Sequence, residues 1–272
     1  MCIRDRINIM GKFIITRTPL RISFAGGSTD LNSAVKAMGE PGLVLNMAIS
    51  KYVYITLKDH TEVFNEKYRL NYSQNELINN REEINNRLIK ETLKYLNIDE
   101  NLYISSISDI PAGTGLGSSS AFTIGLLHAL HIYKGENNIS QYQLAKEAVH
   151  IESKRINSAV GTQDQYGCEM GGMKFFQIHD NYKVDILRQD TNLEKIKFFT
   201  DKIILVWTEK IRKAENILKK QAIKNKSNKE ILLKIKDDAQ KANKYYLTRD
   251  LESLANLIDK SWLRIKQLLA GI

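Results

Sequence analysis

The ten residues Pro111-Ala112-Gly113-Thr114-Gly115-Leu116-Gly117-Ser118-Ser119-Ser120 constrain this chain more than any other stretch. They follow a strand-like segment, Asn101–Ile110, and precede an apolar helical one, Ala121–Tyr133. A strand that passes through open backbone into a helix aims N–H groups and a helix N-terminus at one point, an arrangement that holds phosphate oxygens. Three glycines leave the backbone bare, and three serines offer hydroxyls to phosphate or to a hard cation beside it. No lysine follows the last glycine, which excludes a Walker A loop, and the glycine spacing departs from the dinucleotide fingerprint G-x-G-x-x-G. The competing reading is a flexible Gly/Ser connection.

The rest of the chain has the balance of a folded globular protein, with 272 residues, 43% hydrophobic and 26% charged. No apolar run approaches the roughly 20 residues that span a bilayer, and Met1–Arg6 has no secretory apolar core. A cytoplasmic protein that engages no membrane is expected. Two cysteines, Cys2 and Cys168, argue against a disulfide framework or a thiolate metal site, and Cys168 reads as a small buried packing residue. The net charge of +9 is concentrated in Lys210–Lys244, where Ile217, Leu218, Ile231, Leu232 and Ile235 form an intermittent apolar face. A solvated helix is the expectation there, not a nucleic-acid surface, because no aromatic-and-basic motif accompanies the charge. His128 and His131 read as packing and surface residues, not zinc ligands.

Along the chain, residues 1–9 read as an extension outside the fold. Phe13–Thr16 and Arg21–Phe24 read as short strands broken by Pro19, and Gly26-Gly27 as a turn. Tyr52–Leu57 alternates as a strand, with a hairpin partner expected near Glu62–Leu70. Asn75–Leu96 carries apolar residues at helical spacing. Ser140 and Gln143 fit a capping box that opens a helix. Gly171-Gly172 turns into a strand through Phe176, and Ile203–Trp207 reads as a buried strand before a largely helical remainder. The change from mixed to helical patterning places a boundary near Asp180–Lys197.

The loop string resembles the second motif of the GHMP kinases, P-x-G-x-G-L-G-S-S. Arg17-Thr18-Pro19-Leu20-Arg21-Ile22-Ser23-Phe24-Ala25-Gly26-Gly27-Ser28-Thr29-Asp30 is similar to the family's first motif in the form found in heptose 7-phosphate kinases, with Ser28 where that subgroup has a third glycine. Gly161-Thr162-Gln163-Asp164-Gln165-Tyr166, Thr208…Arg212-Lys213-Ala214 and Trp262…Lys266 extend the likeness over residues 12 to 272. The resemblance implies an α+β, two-domain fold. Residues 10–190 would form a mixed α/β, ATP-binding domain with a left-handed βαβ-type, ribosomal-protein-like core. Residues 191–272 would form a ferredoxin-like α+β domain truncated to mostly helices. The family's third glycine-rich motif, near G-A-G-G-G-G, is not found before Ile272, so the chain reads as a C-terminally truncated fragment.

The resemblance also implies roles. Pro111, Gly113, Gly115, Leu116, Gly117, Ser118, Ser119 and Ser120 would bind ATP. Asp164 would be the general base, with Arg21 steadying it and the transferring phosphate. Ser119 and Glu152 would be the Mg²⁺ ligands. Gly27, Ser28, Thr29, Asp30 and Gln163 would hold the sugar, while Lys174, Arg155 and Lys51 are candidates for a 7-phosphate pocket. The expected reaction phosphorylates the C1 hydroxyl of D-glycero-D-manno-heptose 7-phosphate, on a route to nucleotide-activated heptose for surface polysaccharide. The expected partners are ATP and a sugar phosphate, with a homodimer left open. Other sugar-1-kinases of fucose or galactose type are the near alternatives, and a silent sugar- or nucleotide-binding homologue the distant one. Asp30 and Asp164 have a simpler competing use as turn and helix caps.

Overall fold

A computed structural model describes residues 12–209, 221 and 227–268. The extension at residues 1–9, Cys2, Ile217, Leu218 and Arg212-Lys213-Ala214 lie outside the described residues. The architecture is mixed α/β, with one seven-stranded sheet and eight α-helices among the described residues.

The sheet is organised by β2 (Gly42–Asp59), long enough to serve two sets of neighbours. β1 (Phe13–Ala25) lies antiparallel along one of its edges from end to end. On the other edge, β5 (Leu102–Ser108) takes Val53–Asp59 and β6 (Met173–Ile178) takes Gly42–Met47. Between these two sets of pairs the edge forks, with Ala48 N donating to Gly172 O and Tyr52 O accepting from Asp109 N, and the Gly/Ser loop leaves the end of β5 beside this fork. Beyond β5 lie β3 (Tyr68–Asn71), parallel to it, and β4 (Asn75–Ile78); beyond β6 lies β7 (Val184–Asp190).

Pro19 does not break β1. With one neighbouring strand among the described residues, β1 tolerates a residue that has no N–H to donate, and a register shift at Pro19/Leu20 absorbs the irregularity. The segment after β2 does not fold back on it as a hairpin, because β5 occupies that edge and β3 pairs with β4 and β5 instead. Asn75–Leu96 is not one helix. Its first four residues alternate, with Leu77 exposed and Glu76 and Ile78 buried, which is the period of a strand; a single 3-10 turn follows at Arg81–Glu83, and α-helix begins only at α2 (Arg87–Tyr95). Ile203–Trp207 is not a buried strand: Ile204 is 87% and Val206 71% exposed, and no described strand pairs with it.

Helices cover both faces of the sheet. α3 (Ser118–Tyr133) packs Ala121, Ile124 and Leu127 against Ile55, Leu57 and Ile104, forming the largest core cluster. α4 (Gln141–His150) opens at Ser140, whose Oγ accepts from Gln143 N at 3.1 Å, and ends in a π-helical turn, Ile151–Arg155. α5 (Gln163–Glu169) follows. On the other face, Ala25, Leu45 and Phe175 meet α6 (Leu193–Thr200) and α7 (Lys229–Thr248) through Phe199, Ala239 and Tyr246. Leu232 and Ile235 of α7 and Leu268 of α8 (Leu251–Leu268) close over α1 (Asn32–Met38), the apolar face expected of the lysine-rich segment. Cys168 is buried, as expected. No helix among the described residues is long and apolar enough to cross a membrane.

Candidate active site

The Gly/Ser loop takes its shape from backbone conformation. Gly113, Gly115 and Gly117 all have φ near +80°, the left-handed region in which a side chain is strained. A Cβ on Gly117 would also come within 3.0 Å of Cys168 Sγ and 3.2 Å of Arg21 Cγ. Gly117 starts α3 without any side-chain cap, so the first N–H groups of the helix, on Ser118 to Ser120, have no partner within it. An uncapped N-terminus of a sixteen-residue helix at the end of an open loop offers oriented donors to an anion.

Arg21 ties this loop to Asp164. Its main-chain N–H donates to Leu116 O at 3.0 Å and its Nη1 to Gly115 O at 2.6 Å. Its Nε and Nη2 reach Asp164 Oδ1 at 2.9 and 2.6 Å. Burial works against the guanidinium, but Asp164 with Cys168 and Asp30 more than offsets it and the pKa is raised. Asp164 is held on one side by this fork while its side chain stays 29% exposed. It stands in the first turn of α5 and caps nothing, since the helix begins one residue before it.

Behind the loop, the π-helical turn brings Glu152 under the serines. Glu152 Oε2 lies 3.3 Å from Ser119 Oγ and 3.4 Å from Ser120 Oγ, and Oε1 accepts from Gln165 Nε2 at 3.2 Å. The residue is 2% exposed, and burial, with Asp164 adding to it, pushes its pKa up to about 7 against these hydrogen bonds. Ser119 is exposed and Ser120 buried, so Ser119 alone of the two faces outward. A buried carboxyl without a cationic partner, beside an outward hydroxyl, is a pair of hard oxygen donors suited to a small divalent cation. The described residues contain no group of three or more His, Cys, Asp or Glu placed to hold a metal by themselves. His131 is clamped between Glu136 and Glu147, in keeping with a packing role.

The turn after β1 divides the residues expected to hold sugar. A Cβ on Gly26 would lie 1.9 Å from Leu43 O, and Ser28 adopts φ +81°, so a glycine there would be unstrained. Asp30 accepts from Ser28 N at 3.0 Å and Gln163 N at 3.3 Å. Burial, with Asp164 nearby, pushes it up to about 6. Thr29 is fully buried, with Oγ1 engaged by Gly26 O at 2.7 Å and by Leu43, so in this structure it holds the turn. Gln163 Oε1, Ser23 Oγ, Asn46 Oδ1, Gln165 Oε1 and Thr114 Oγ1 are buried oxygens without a partner among the described residues. Their concentration around one fork marks it as a place built for polar contacts. Ser23, Asn46 and Gln165 escaped the sequence reading; the strand register Ser23↔Asn46, which the residues alone do not reveal, is what brings the first two together.

The three candidates for a 7-phosphate pocket are not gathered here. Lys174 is 0% exposed with Nζ bonded to main-chain carbonyls. Arg155 pairs with Glu91 of α2 at 2.9 Å, and Lys51 lies exposed on β2.

Residues 86–172 match the family of GHMP kinases N terminal domains, a span that holds the loop, Glu152 and Asp164. The chain is 32% identical, over 96% of its length and 79% of the other's, to D-glycero-alpha-D-manno-heptose 7-phosphate kinase of Campylobacter jejuni. It is 27% identical to a galactokinase of Thermotoga maritima over 57% of this chain and 43% of that one. Among solved structures, a D-glycero-D-manno-heptose 1-phosphate kinase from Bacteroides thetaiotaomicron superposes with a TM-score of 0.75 at 22% identity, covering 94% of this chain and 80% of that one. The mevalonate kinase of Methanococcus jannaschii gives 0.65 at 22% identity, with coverages of 94% and 80%. The folds agree, and the length and level of the sequence match carry the assignment: the chain belongs to the GHMP kinase family.

Proposed function

We propose that this chain is a sugar kinase that transfers the γ-phosphoryl group of ATP to the anomeric C1 hydroxyl of a D-glycero-D-manno-heptose 7-phosphate, giving the 1,7-bisphosphate. The observation that carries the reading is the Arg21 bridge: one side chain ties the loop that leads into an uncapped helix N-terminus to a partly exposed carboxylate. ATP phosphates would lie along Gly113–Ser119, and the acceptor hydroxyl would meet Asp164 at the mouth of the fork. Asp164 takes the hydroxyl proton as the sugar oxygen bonds to the γ-phosphorus, and the bond to the bridging oxygen breaks to release ADP. Arg21 keeps the carboxylate aimed and balances charge on the transferring group. Ser119 and Glu152 would hold Mg²⁺, which neutralises the charge of the nucleotide phosphates when bound. Asp30, Gln163 and the unpartnered oxygens near Gly27 suit a polyol, each of whose hydroxyls brings one O–H donor to such an acceptor.

The heptose assignment rests on the 32% identity to the Campylobacter jejuni enzyme. The galactokinase match favours the second reading, a galactose-type kinase on the same machinery. Coupled-assay ATP turnover with D-glycero-D-manno-heptose 7-phosphate, galactose and fucose separates them. Turnover confined to the heptose phosphate supports the first reading. Turnover with galactose or fucose alone supports the second, and nucleotide binding without turnover of any sugar points to a silent homologue.

A further inference from the structure

α5 carries Asp164, yet at seven residues it is too short to be stable by its own hydrogen bonds. It lies on a polar row of the sheet. Ser23, Asn46 and Lys174 are directly paired across β1, β2 and β6, which puts their side chains on one face. Two of them grip the helix from beneath. Asn46 Nδ2 donates to Gln163 O, at the first residue of α5, at 3.3 Å. Lys174 Nζ donates to Gly167 O at 2.7 Å and also to Met170 O, just past the last residue.

Carbonyls at a helix C-terminus lack intrahelical partners, and a buried one left unbonded is costly. A buried lysine is costly as well, and this one has no carboxylate in ion-pair contact among the described residues. The charged or titratable groups facing it are Cys168 and Glu169, both on α5; across the sheet its register neighbours Asn46 and Gln189 are neutral. Burial pushes Lys174 down to about 7. Protonated or neutral, the amine has N–H donors enough for two carbonyls. A methionine would fill the same space without the desolvation cost, so packing does not explain a lysine here.

We propose that Lys174 is a positioning residue for phosphoryl transfer: with Asn46 it pins both ends of α5, and so sets where Asp164 stands against Arg21 and the phosphate loop. Its activity arm rests on the kinase reading above; its structural arm does not.

The test compares wild type with Lys174→Met and Lys174→Gln by hydrogen exchange and by turnover. For Lys174→Met, exchange of peptides covering 163–170 rises at least tenfold, while peptides from α3 (118–133) are unchanged. kcat falls at least tenfold with KM for ATP within twofold, and Lys174→Gln, which restores an N–H donor, recovers part of both effects. Unchanged exchange at 163–170 in folded Lys174→Met overturns the proposal whatever the activity. So does failure of both variants to fold, since that would make Lys174 a requirement of the whole fold. If wild type turns over no sugar, the kinase reading fails and the exchange result alone decides.

Discussion

Arg21 shows how much one residue carries here. Its backbone belongs to β1, its main-chain N–H and one guanidinium arm hold the loop, and the other arm and Nε hold Asp164. A lysine has a single point charge and cannot span both partners, so Arg21→Lys is expected to cost at least a hundredfold in turnover with little change in overall fold, read by steady-state kinetics beside circular dichroism. Glu152 makes a different prediction. Its pKa rises from 4.5 to about 7 on folding, so the native state holds a proton that the unfolded chain has lost. Stability therefore falls as pH rises from about 4.5 to about 7, by on the order of 3 kcal/mol, and Asp30 adds to the same trend up to about 6. Glu152→Gln should flatten much of this slope in a series of melting temperatures against pH. A cation at Glu152 needs the ionised form, so Mg²⁺-dependent stabilisation of the nucleotide complex should grow over the same interval in wild type and not in the variant. At Ser28 the left-handed φ costs about 1 kcal/mol relative to glycine, so Ser28→Gly should raise the melting temperature.

At the scale of elements, β4 offers a sharp contrast between neighbours. Glu76 is buried and accepts from Tyr72 Oη at 2.7 Å and from the main chain of Asn85 and Asn86. Glu76→Ala leaves those donors unpaired and should cost about 1–3 kcal/mol, whereas Leu77→Lys, on the solvent side, should fall within about 0.5 kcal/mol in chemical denaturation. The same pair shows why this element was illegible in sequence. Glu76 reads as a polar, outward residue and Leu77 as an inward one, and the fold reverses both. α3, with its long apolar run, and α4, with its serine cap, were legible because these signals are local. The Gly/Ser loop and the helix it opens were legible for the same reason, since alternate glycines and the serines after them need no distant partner to be recognised. What stayed hidden was long-range: the sharing of one β2 edge by β5 and β6, the polar row beneath α5, and the burial of Lys174, which in sequence looks like any other surface cation.

For the whole molecule, the sheet divides two kinds of work. One face carries α3, α4 and α5 with the Gly/Ser loop, Glu152 and Asp164, and the other carries α6 and α7 over a separate apolar cluster. We propose that the boundary near residue 190 marks this division, with β7 the last strand of the ATP-binding unit. The central claim is that Asp164 activates an anomeric hydroxyl toward ATP bound at the loop. It is tested most directly by ³¹P NMR of D-glycero-D-manno-heptose 7-phosphate incubated with MgATP and either wild type or Asp164→Asn. The account predicts a second sugar phosphate resonance, coupled to the anomeric proton, with wild type, and a rate at least a hundredfold lower with the variant. ATP consumption without an anomeric phosphate, or the same product formed at wild-type rate by Asp164→Asn, would contradict it.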